Sequence, residues 1–300
     1  MNWQDDPAPD GLAAMLAALG PDIQIANVRR LVGGAMAVHL IELTQDASRR
    51  AVVLKRFPPG VGSPENEWDA LGFAHAADLP SPAPLHYDSG DWFGGPAIVM
   101  TALPGRLCLD PANLERWTAA LADVLATIHA TPVDAVPASM HRPGIWDRWD
   151  QSGLAPGPRT DAVSAAIAEL RTRDWVMSFC HCDFYPGNVL FHDGAVVGVV
   201  DWISAKLSPF LNDLGRLRGA IAVWPGGEAP DLLATAYAKR TGRSLDGLAY
   251  WDILTGSLTL QGAANGHLHR HLEVLQIPLD ASQAAERATA FIDAALAKCG

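Results

Sequence analysis

Three polar residues in one stretch of the chain have the side-chain types that phosphoryl transfer requires. Asp183 and Asn188 flank a short loop that contains Pro186 and Gly187, and Asp201 lies further along. A Pro-Gly pair favours a tight turn, so Asp183 and Asn188 can face the same side of a site. One carboxylate can accept the proton of an attacking hydroxyl, while an amide oxygen and a second carboxylate can hold Mg²⁺. The stretch therefore predicts a phosphoryl-transfer site.

A β-hairpin is predicted immediately before Asp201. Two apolar runs, 189–191 and 195–200, flank the dipeptide Asp193-Gly194. Asp-Gly between β-branched runs is typical of a two-residue hairpin turn. The hairpin would return the chain to the first loop, so that Asp201 joins the other two polar residues.

This stretch resembles the catalytic region of the aminoglycoside phosphotransferase and choline kinase family, whose members are relatives of the protein kinases. The family pattern is His-Gly-Asp, four residues, Asn, a hairpin ending in Ile-Asp-Trp, and then Tyr-Asp-Leu. The corresponding segments here are His181-Cys182-Asp183, Asn188, Val200-Asp201-Trp202 and Asn212-Asp213-Leu214. The resemblance implies that Asp183 is the catalytic base and that Asn188 and Asp201 are the metal ligands. One departure is Cys182, where the family usually has glycine.

A second set of candidate residues lies nearer the N-terminus. Gly33 and Gly34 separate two predicted strands at 23–31 and 37–43. Glycine lets backbone N–H groups approach a phosphate closely, and the family has a similar loop over the nucleotide phosphates. Lys55 lies on a third predicted strand. By resemblance, Lys55 is the lysine that holds the α- and β-phosphates.

The resemblance also implies a carboxylate partner for this lysine. A helix is predicted from Asn66 to Ala74, with Pro64 near its start. Glu67 fits the pairing glutamate of the family, and Glu65 is the alternative. The residues alone do not decide between the two.

The order of predicted elements indicates an α+β protein with two lobes. Strands and one helix across them dominate residues 1–100, and helices dominate residues 101–300. The resemblance implies a two-lobed protein-kinase-like fold: a small β-sheet lobe that binds nucleotide, and a larger, mainly helical C-terminal lobe with the catalytic loop and the acceptor site. The nucleotide would bind between the lobes. The expected hinge, which reads the adenine edge through backbone groups, consists of Met100, Thr101 and Ala102.

Composition narrows the classes of partner. The chain has 300 residues, 49% of them hydrophobic, which is ample for two lobes. Its 22 basic and 33 acidic residues give a net charge of −11, which disfavours nucleic acid and anionic membranes as partners. No apolar run reaches the roughly 18 residues of a membrane span. Four cysteines and the lack of a signal-peptide pattern fit a reducing cytoplasm.

Two groups of residues suggest a metal site instead. The first group is Cys180, His181, Cys182 and His192. Neighbouring strand residues point to opposite faces, and no second cysteine pair completes the usual zinc spacing, so this site is disfavoured. The second group is His267, His269 and His271. These three alternate on a predicted helix, which would scatter them over its surface.

The resemblance implies a kinase that uses Mg²⁺ and ATP, or GTP, to phosphorylate a hydroxyl of a small molecule. The acidic composition slightly favours an aminoglycoside-type acceptor. A metabolite kinase of the choline, homoserine or sugar type is the alternative, and a nucleotide-binding pseudokinase without turnover is a third possibility. An irregular segment at 131–160 either lines the acceptor pocket or packs on the lobe; its aromatic and acidic residues are Trp146, Asp147, Trp149 and Asp150.

Overall fold

The structure is a computed structural model of the chain, and it describes residues 5–31, 36–46, 48–60, 62–142, 149 and 154–299. The chain divides into two compact units. The first comprises Met1–Pro104 together with Gly198–Ile203, and the second comprises Gly105–Val197 together with Ser204–Gly300. The boundary predicted at residue 100 lies close to this division. The sequence did not predict that residues 198–203 return to the first unit.

A five-stranded antiparallel sheet with the order β1-β2-β3-β5-β4 forms the first unit. Its strands are β1 (Gln24–Leu31), β2 (Ala37–Gln45), β3 (Ser48–Arg56), β4 (Pro84–Asp88) and β5 (Ala97–Thr101). Side chains alternate between the two faces of a strand. In the central strand β3, Val52 and Leu54 are therefore buried in a core on one face, while Lys55 points to the other face.

Two described helices complete the first unit, and both have proline in the first turn. Helix α1 (Pro9–Leu19) contributes Met15 to the core that includes Ile41 and Phe93. Helix α2 (Pro64–Ala76) carries Glu67, which is buried. The predicted small lobe of sheet and crossing helix is confirmed.

Helices dominate the described part of the second unit. They are α3 (Leu114–His129), α4 (Pro158–Thr172), α5 (Phe210–Val223), α6 (Ala229–Thr241), α7 (Leu248–Ala264), α8 (His267–Val274) and α9 (Ala281–Leu296). Short strands accompany them: β6 (Arg106–Leu107), β7 (Met177–Cys180), β8 (Val189–His192), β9 (Ala195–Val199), whose last two residues belong to the first unit, and β10 (Lys206–Pro209). In the part of the chain that is described, no helix is both long and apolar enough to cross a membrane.

Side-chain caps fix where two of these helices begin. The Asn113 side chain accepts a hydrogen bond from the backbone N–H of Arg116 at 2.8 Å and caps the start of α3 at Leu114. Helix α9 begins with a capping box between Asp280 and Gln283.

Helices α5 and α7 approach each other closely because α5 presents glycine to α7. A Cβ atom at Gly215 would lie 2.7 Å from the Cβ of Trp251, and one at Gly219 would lie 2.9 Å from the Thr255 hydroxyl. Real Cβ atoms essentially never come nearer than 3.0 Å to such neighbours. The two glycines are therefore required for this packing.

The predicted hairpin is present between β8 and β9. Asp193 and Gly194 at its turn have φ angles of 50° and 77°. Positive φ at both central residues defines a type I′ turn, which matches the twist of antiparallel strands. The hairpin leads the chain directly to Asp201.

Candidate active site

Lys55 is the centre of a buried charge cluster in the first unit. Its Nζ atom donates to both carboxylate oxygens of Glu67, at 2.8 and 2.6 Å, and to Oδ1 of Asp201 at 2.8 Å. Glu65 instead accepts a hydrogen bond from the Tyr87 hydroxyl at 2.7 Å. Of the two candidate partners, Glu67 is therefore the one that contacts Lys55.

The cluster keeps Lys55 charged. Burial by itself lowers the pKa of Lys55, but the charges of Glu67 and Asp201 outweigh burial and hold the pKa above its ordinary value. The Asp201 side chain remains 40% exposed, so a ligand from solvent can reach its carboxylate. A fixed ammonium beside an accessible carboxylate suits a bound phosphate and its counter-cation.

Hydrogen bonds around the end of β9 bring Asp201 to Lys55. The backbone N–H of Val199 donates to the Pro80 carbonyl at 2.6 Å. The buried Trp202 indole donates to the Val199 carbonyl at 2.8 Å. Asp201 itself has a φ of 65°, a left-handed conformation that aspartate tolerates better than most residues. These contacts explain why the segment belongs to the first unit.

The predicted nucleotide-binding backbone is described only in part. Gly33 and Gly34 lie outside the described residues. Thr101 donates its backbone N–H to the Ala83 carbonyl at 3.0 Å, and Ala102 donates its own to the Ala51 carbonyl at 3.3 Å. The N–H groups of these two expected hinge residues thus hydrogen-bond within the sheet, next to the buried Met100.

Asp183 lies in the second unit with two oriented partners. Arg216 donates to Oδ1 of Asp183 through Nε at 2.7 Å and through Nη2. Asn188 donates its Nδ2 hydrogens to the Asp183 carbonyl oxygen at 3.0 Å and to Oδ2 at 3.4 Å. Because its amide nitrogen is used this way, Asn188 presents its oxygen in another direction, as a ligand for a hard cation requires.

Arg216 is a site residue that the sequence analysis missed. It follows Asp213 by three positions on α5, so both side chains lie on the same face of the helix. Burial lowers the pKa of Arg216, but the Asp183 carboxylate outweighs burial and raises it. The three-residue spacing of Arg216 from Asp213, in the Asp-Leu motif, was the sequence signal that could have identified Arg216.

Asp213 anchors the backbone that leads into Asp183. Its carboxylate accepts the N–H groups of His181 at 2.8 Å and Cys182 at 2.6 Å, and His129 Nε2 lies 3.2 Å from it. The other ring nitrogen of His129 is 2.8 Å from the Tyr237 hydroxyl. Hydrogen bonds to a buried carboxylate are strong, so this network fixes the backbone that precedes Asp183.

Cys182 adopts a backbone conformation that usually belongs to glycine. Its φ is 61°, in the left-handed region, where a side chain costs on the order of 1 kcal/mol. This explains physically why the family prefers glycine at the corresponding position. The loop tolerates cysteine because the Asp213 carboxylate holds its N–H group.

The zinc interpretation finds no support in the described residues. The one described group of His, Cys and acidic residues whose ligand atoms lie within 4.8 Å of one another is His129, Cys180 and Asp213. Their hydrogen bonds are made within the protein, including one from Cys180 Sγ to the Ser208 carbonyl at 3.4 Å. Burial also raises the pKa of Cys180 well above its ordinary value, which disfavours the thiolate that zinc needs.

A cavity of about 390 Å³ lies beside Asp183 in the second unit. His267 and His271, four residues apart on α8, both line it. The expectation that the three histidines are scattered over the surface is therefore wrong for these two, since residues four apart share a helix face. Burial lowers the pKa of His271, Asp183 opposes this effect, and Arg216 adds to it.

The aromatic and acidic segment before α4 is largely outside the description. Trp146, Asp147 and Asp150 are not among the described residues. The Trp149 indole donates to the Ser257 hydroxyl on α7 at 2.8 Å. This one contact shows Trp149 packed on the helical unit, and the role of its neighbours stays a prediction.

The first unit is an antiparallel sheet with a buried Lys-Glu pair, and the second is helical and contains an Asp-Asn loop. These features together are typical of a small-molecule kinase. The sequence pattern of the phosphotransferase enzyme family matches residues 38–251. The chain belongs to this family, and it is a small-molecule kinase with the predicted protein-kinase-like fold.

Individual kinases and phosphotransferases are also similar to this chain in sequence or in structure. Homoserine kinase of Methylocella silvestris is 26% identical over 231 residues, which is 71% of each protein. Macrolide 2′-phosphotransferase from Brachybacterium faecium has a similar structure, with a TM-score of 0.65 and 19% identity over 93% of this chain and 98% of that one. An amicoumacin kinase solved with AMP-PNP and Ca²⁺ has a TM-score of 0.60 and 17% identity over 92% and 97% of the two chains. These structural similarities establish the fold.

Proposed function

We propose that the protein transfers the γ-phosphoryl group of ATP, or of GTP, to a hydroxyl of a small molecule. The acceptor oxygen bonds to the γ-phosphorus, the bond to the bridging oxygen of the diphosphate breaks, and the hydroxyl proton passes to Asp183. The observation that carries this proposal is the Asp183 carboxylate at the wall of a cavity, oriented by Arg216.

Divalent metal and nucleotide have assigned residues in this proposal. Asn188 and Asp201 offer an amide oxygen and a carboxylate, the donor types that Mg²⁺ prefers. Bound there, Mg²⁺ would neutralise charge on the phosphates. Lys55, positioned by Glu67, and the segment at Gly33-Gly34 bind the phosphates as well, and the segment at Met100–Ala102 contacts the base of the nucleotide. The AMP-PNP and Ca²⁺ in the amicoumacin kinase structure support a nucleoside triphosphate donor used with a divalent cation.

The two units take separate parts in the proposed reaction. The first binds nucleotide, and the second supplies the base and the acceptor cavity. Because the donor is a cytoplasmic metabolite and all four cysteines are free, we place the activity in the cytoplasm.

Two classes of acceptor have support. The net charge of −11 and the antibiotic-phosphorylating structural neighbours favour an aminoglycoside-type acceptor. The homoserine kinase relative favours a metabolite. A screen of the purified protein with ATP and GTP against spectinomycin, hygromycin B, homoserine, choline and simple sugars tests both. Mass spectrometry should show one phosphorylated product whose formation requires Mg²⁺. Nucleotide binding without any phosphorylated product would support a pseudokinase instead.

A further inference from the structure

The cavity beside Asp183 carries almost no unpaired charge. Among the described residues that line it, Asp183 is the only carboxylate and Arg216 is the only arginine or lysine. These two side chains are paired with each other. Burial lowers the pKa of His271, which disfavours a charge on its ring. The described wall therefore has no carboxylate left to balance an incoming ammonium group.

Much of the described lining of the same cavity is apolar. Its described lining includes Val223, Trp224, Leu268, Leu272, Leu275 and Ile277. Four of them belong to or pack on one hydrophobic cluster between α5, α8 and α9. An apolar ligand placed against these residues gains free energy in proportion to the apolar surface that it removes from water.

The lack of an unpaired carboxylate and the apolar lining both disfavour a polycationic acceptor in this cavity. An ammonium group that leaves water for an apolar wall loses its hydration, and only a nearby carboxylate offsets that loss. The net charge of −11 is a property of the whole chain and does not appear on this wall.

We propose that the acceptor is an alcohol with an apolar body and no strong positive charge. Its hydroxyl meets Asp183, and its body packs against Trp224 and the apolar residues of α8. This inference rests on the proposed function, because it takes the cavity as the acceptor site. It disfavours the cationic, aminoglycoside-type acceptor that the net charge predicted.

A matched pair of probes tests the inference: hexanol and 6-aminohexanol, which share a primary hydroxyl and differ in a terminal ammonium. Binding is measured by tryptophan fluorescence and by the shift in melting temperature with AMP-PNP present, and turnover is measured as ADP formed from ATP. Thr259 lines the cavity from α7, is half-buried, and donates to the Thr255 carbonyl at 3.1 Å. Thr259→Asp adds a carboxylate there at nearly constant volume.

Two variants control for fold and for charge. Thr259→Val keeps the shape of the side chain without adding charge. Ser282→Asp adds the same charge at an exposed position in the first turn of α9 that is not among the lining residues. Equal melting temperatures of the three variants without ligand establish that each is folded.

We expect the natural protein to bind hexanol at least about tenfold more tightly than 6-aminohexanol. Thr259→Asp should reverse this preference, whereas Thr259→Val and Ser282→Asp should retain it. A natural preference for 6-aminohexanol, no detectable binding of either alcohol, or a reversal in Ser282→Asp would overturn the inference. If hexanol binds with the expected preference but neither hexanol nor any compound of the acceptor screen is phosphorylated, the cavity prefers uncharged alcohols and the proposed function is contradicted.

Discussion

At the scale of single residues, Asp201 has two functions in the proposed reaction. Its Oδ1 accepts from Lys55 at 2.8 Å, while its partly exposed carboxylate is the proposed Mg²⁺ ligand. Lys55 keeps Glu67 as a second partner, at 2.6 Å. Loss of the Asp201 carboxylate should therefore affect the metal more than the position of the lysine.

We predict that Asp201→Ala weakens Mg²⁺-dependent nucleotide binding by at least about tenfold, because a hard cation loses a charged ligand. Titration of ATP at several Mg²⁺ concentrations, followed by calorimetry, measures this. Asp201→Asn should show a similar loss while it tolerates the left-handed backbone better, and Asp91→Ala, an exposed position in the same unit, should show none. Unchanged metal dependence in both Asp201 variants would make Asp201 a structural residue.

Sequence reasoning singled out candidates whose signal is local, and it did not connect them with residues that only tertiary packing brings near them. Asp183 and Asn188 stand out because one short loop fixes both. Arg216 and His271 line the cavity beside Asp183 only because α5 and α8 pack around it. No sequence pattern within either helix predicts that packing. The spacing of Arg216 from Asp213 and of His271 from His267 is only compatible with it.

At the scale of elements, the contact between α5 and α7 positions the site. Arg216 lies on α5 next to Gly215, and Thr255 and Thr259 line the cavity from α7. The Thr255 hydroxyl also donates to the Gly215 carbonyl at 2.9 Å. A larger residue at Gly215 would force these two helices apart.

Two glycine-to-alanine substitutions should therefore have opposite effects. Alanine usually stabilises a helix interior relative to glycine by about 0.5–1 kcal/mol. Gly72→Ala in α2 should show this gain, since nothing lies within 4 Å of its Cβ position. Gly215→Ala should instead lower the free energy of unfolding by about 1–3 kcal/mol through overpacking against Trp251. Urea denaturation measures both, and stabilisation by Gly215→Ala would contradict the packing described.

The distinction between local and tertiary signals also applies to the secondary-structure elements. The hairpin at Asp193-Gly194 was predictable because its turn residues select one conformation. The return of the chain after it was not, because it depends on the hydrogen bond from Val199 to Pro80, more than a hundred residues away. The start of α3 has a local cause, because the Asn113 side chain caps it.

At the scale of the whole molecule, one buried ion pair should make stability depend on pH. Arg218 on α5 and Asp252 on α7 are each 4% exposed, and Arg218 Nη2 lies 3.0 Å from Asp252 Oδ2. Burial raises the pKa of Asp252 to about 6, although Arg218 opposes this effect. The folded protein thus holds a proton on Asp252 over a range where the unfolded chain has lost it, so this contribution to stability falls as pH rises through 6.

Between pH 5 and 7.5, Asp252 should therefore remove about 1–2 kcal/mol from the free energy of unfolding. Denaturation curves at the two pH values measure the change. Asp252→Asn should show a smaller loss over the same range, whereas Asp123→Asn, at a mostly exposed position, should behave like the natural protein. Equal pH dependence in the Asp252 variant and the natural protein would remove Asp252 as its source.

In the proposed reaction, Asp183 accepts the proton of the acceptor hydroxyl. Asp183→Asn keeps the size of the side chain and leaves Asn188 and Asp201 in place, so nucleotide should still bind. General-base catalysis contributes about 10²-fold or more to a rate. The most direct test is kcat for the phosphorylated product, measured together with the Kd of ATP in both proteins. We expect kcat to fall by about 10²-fold or more while Kd stays within a few-fold; near-normal turnover in Asp183→Asn would contradict the account.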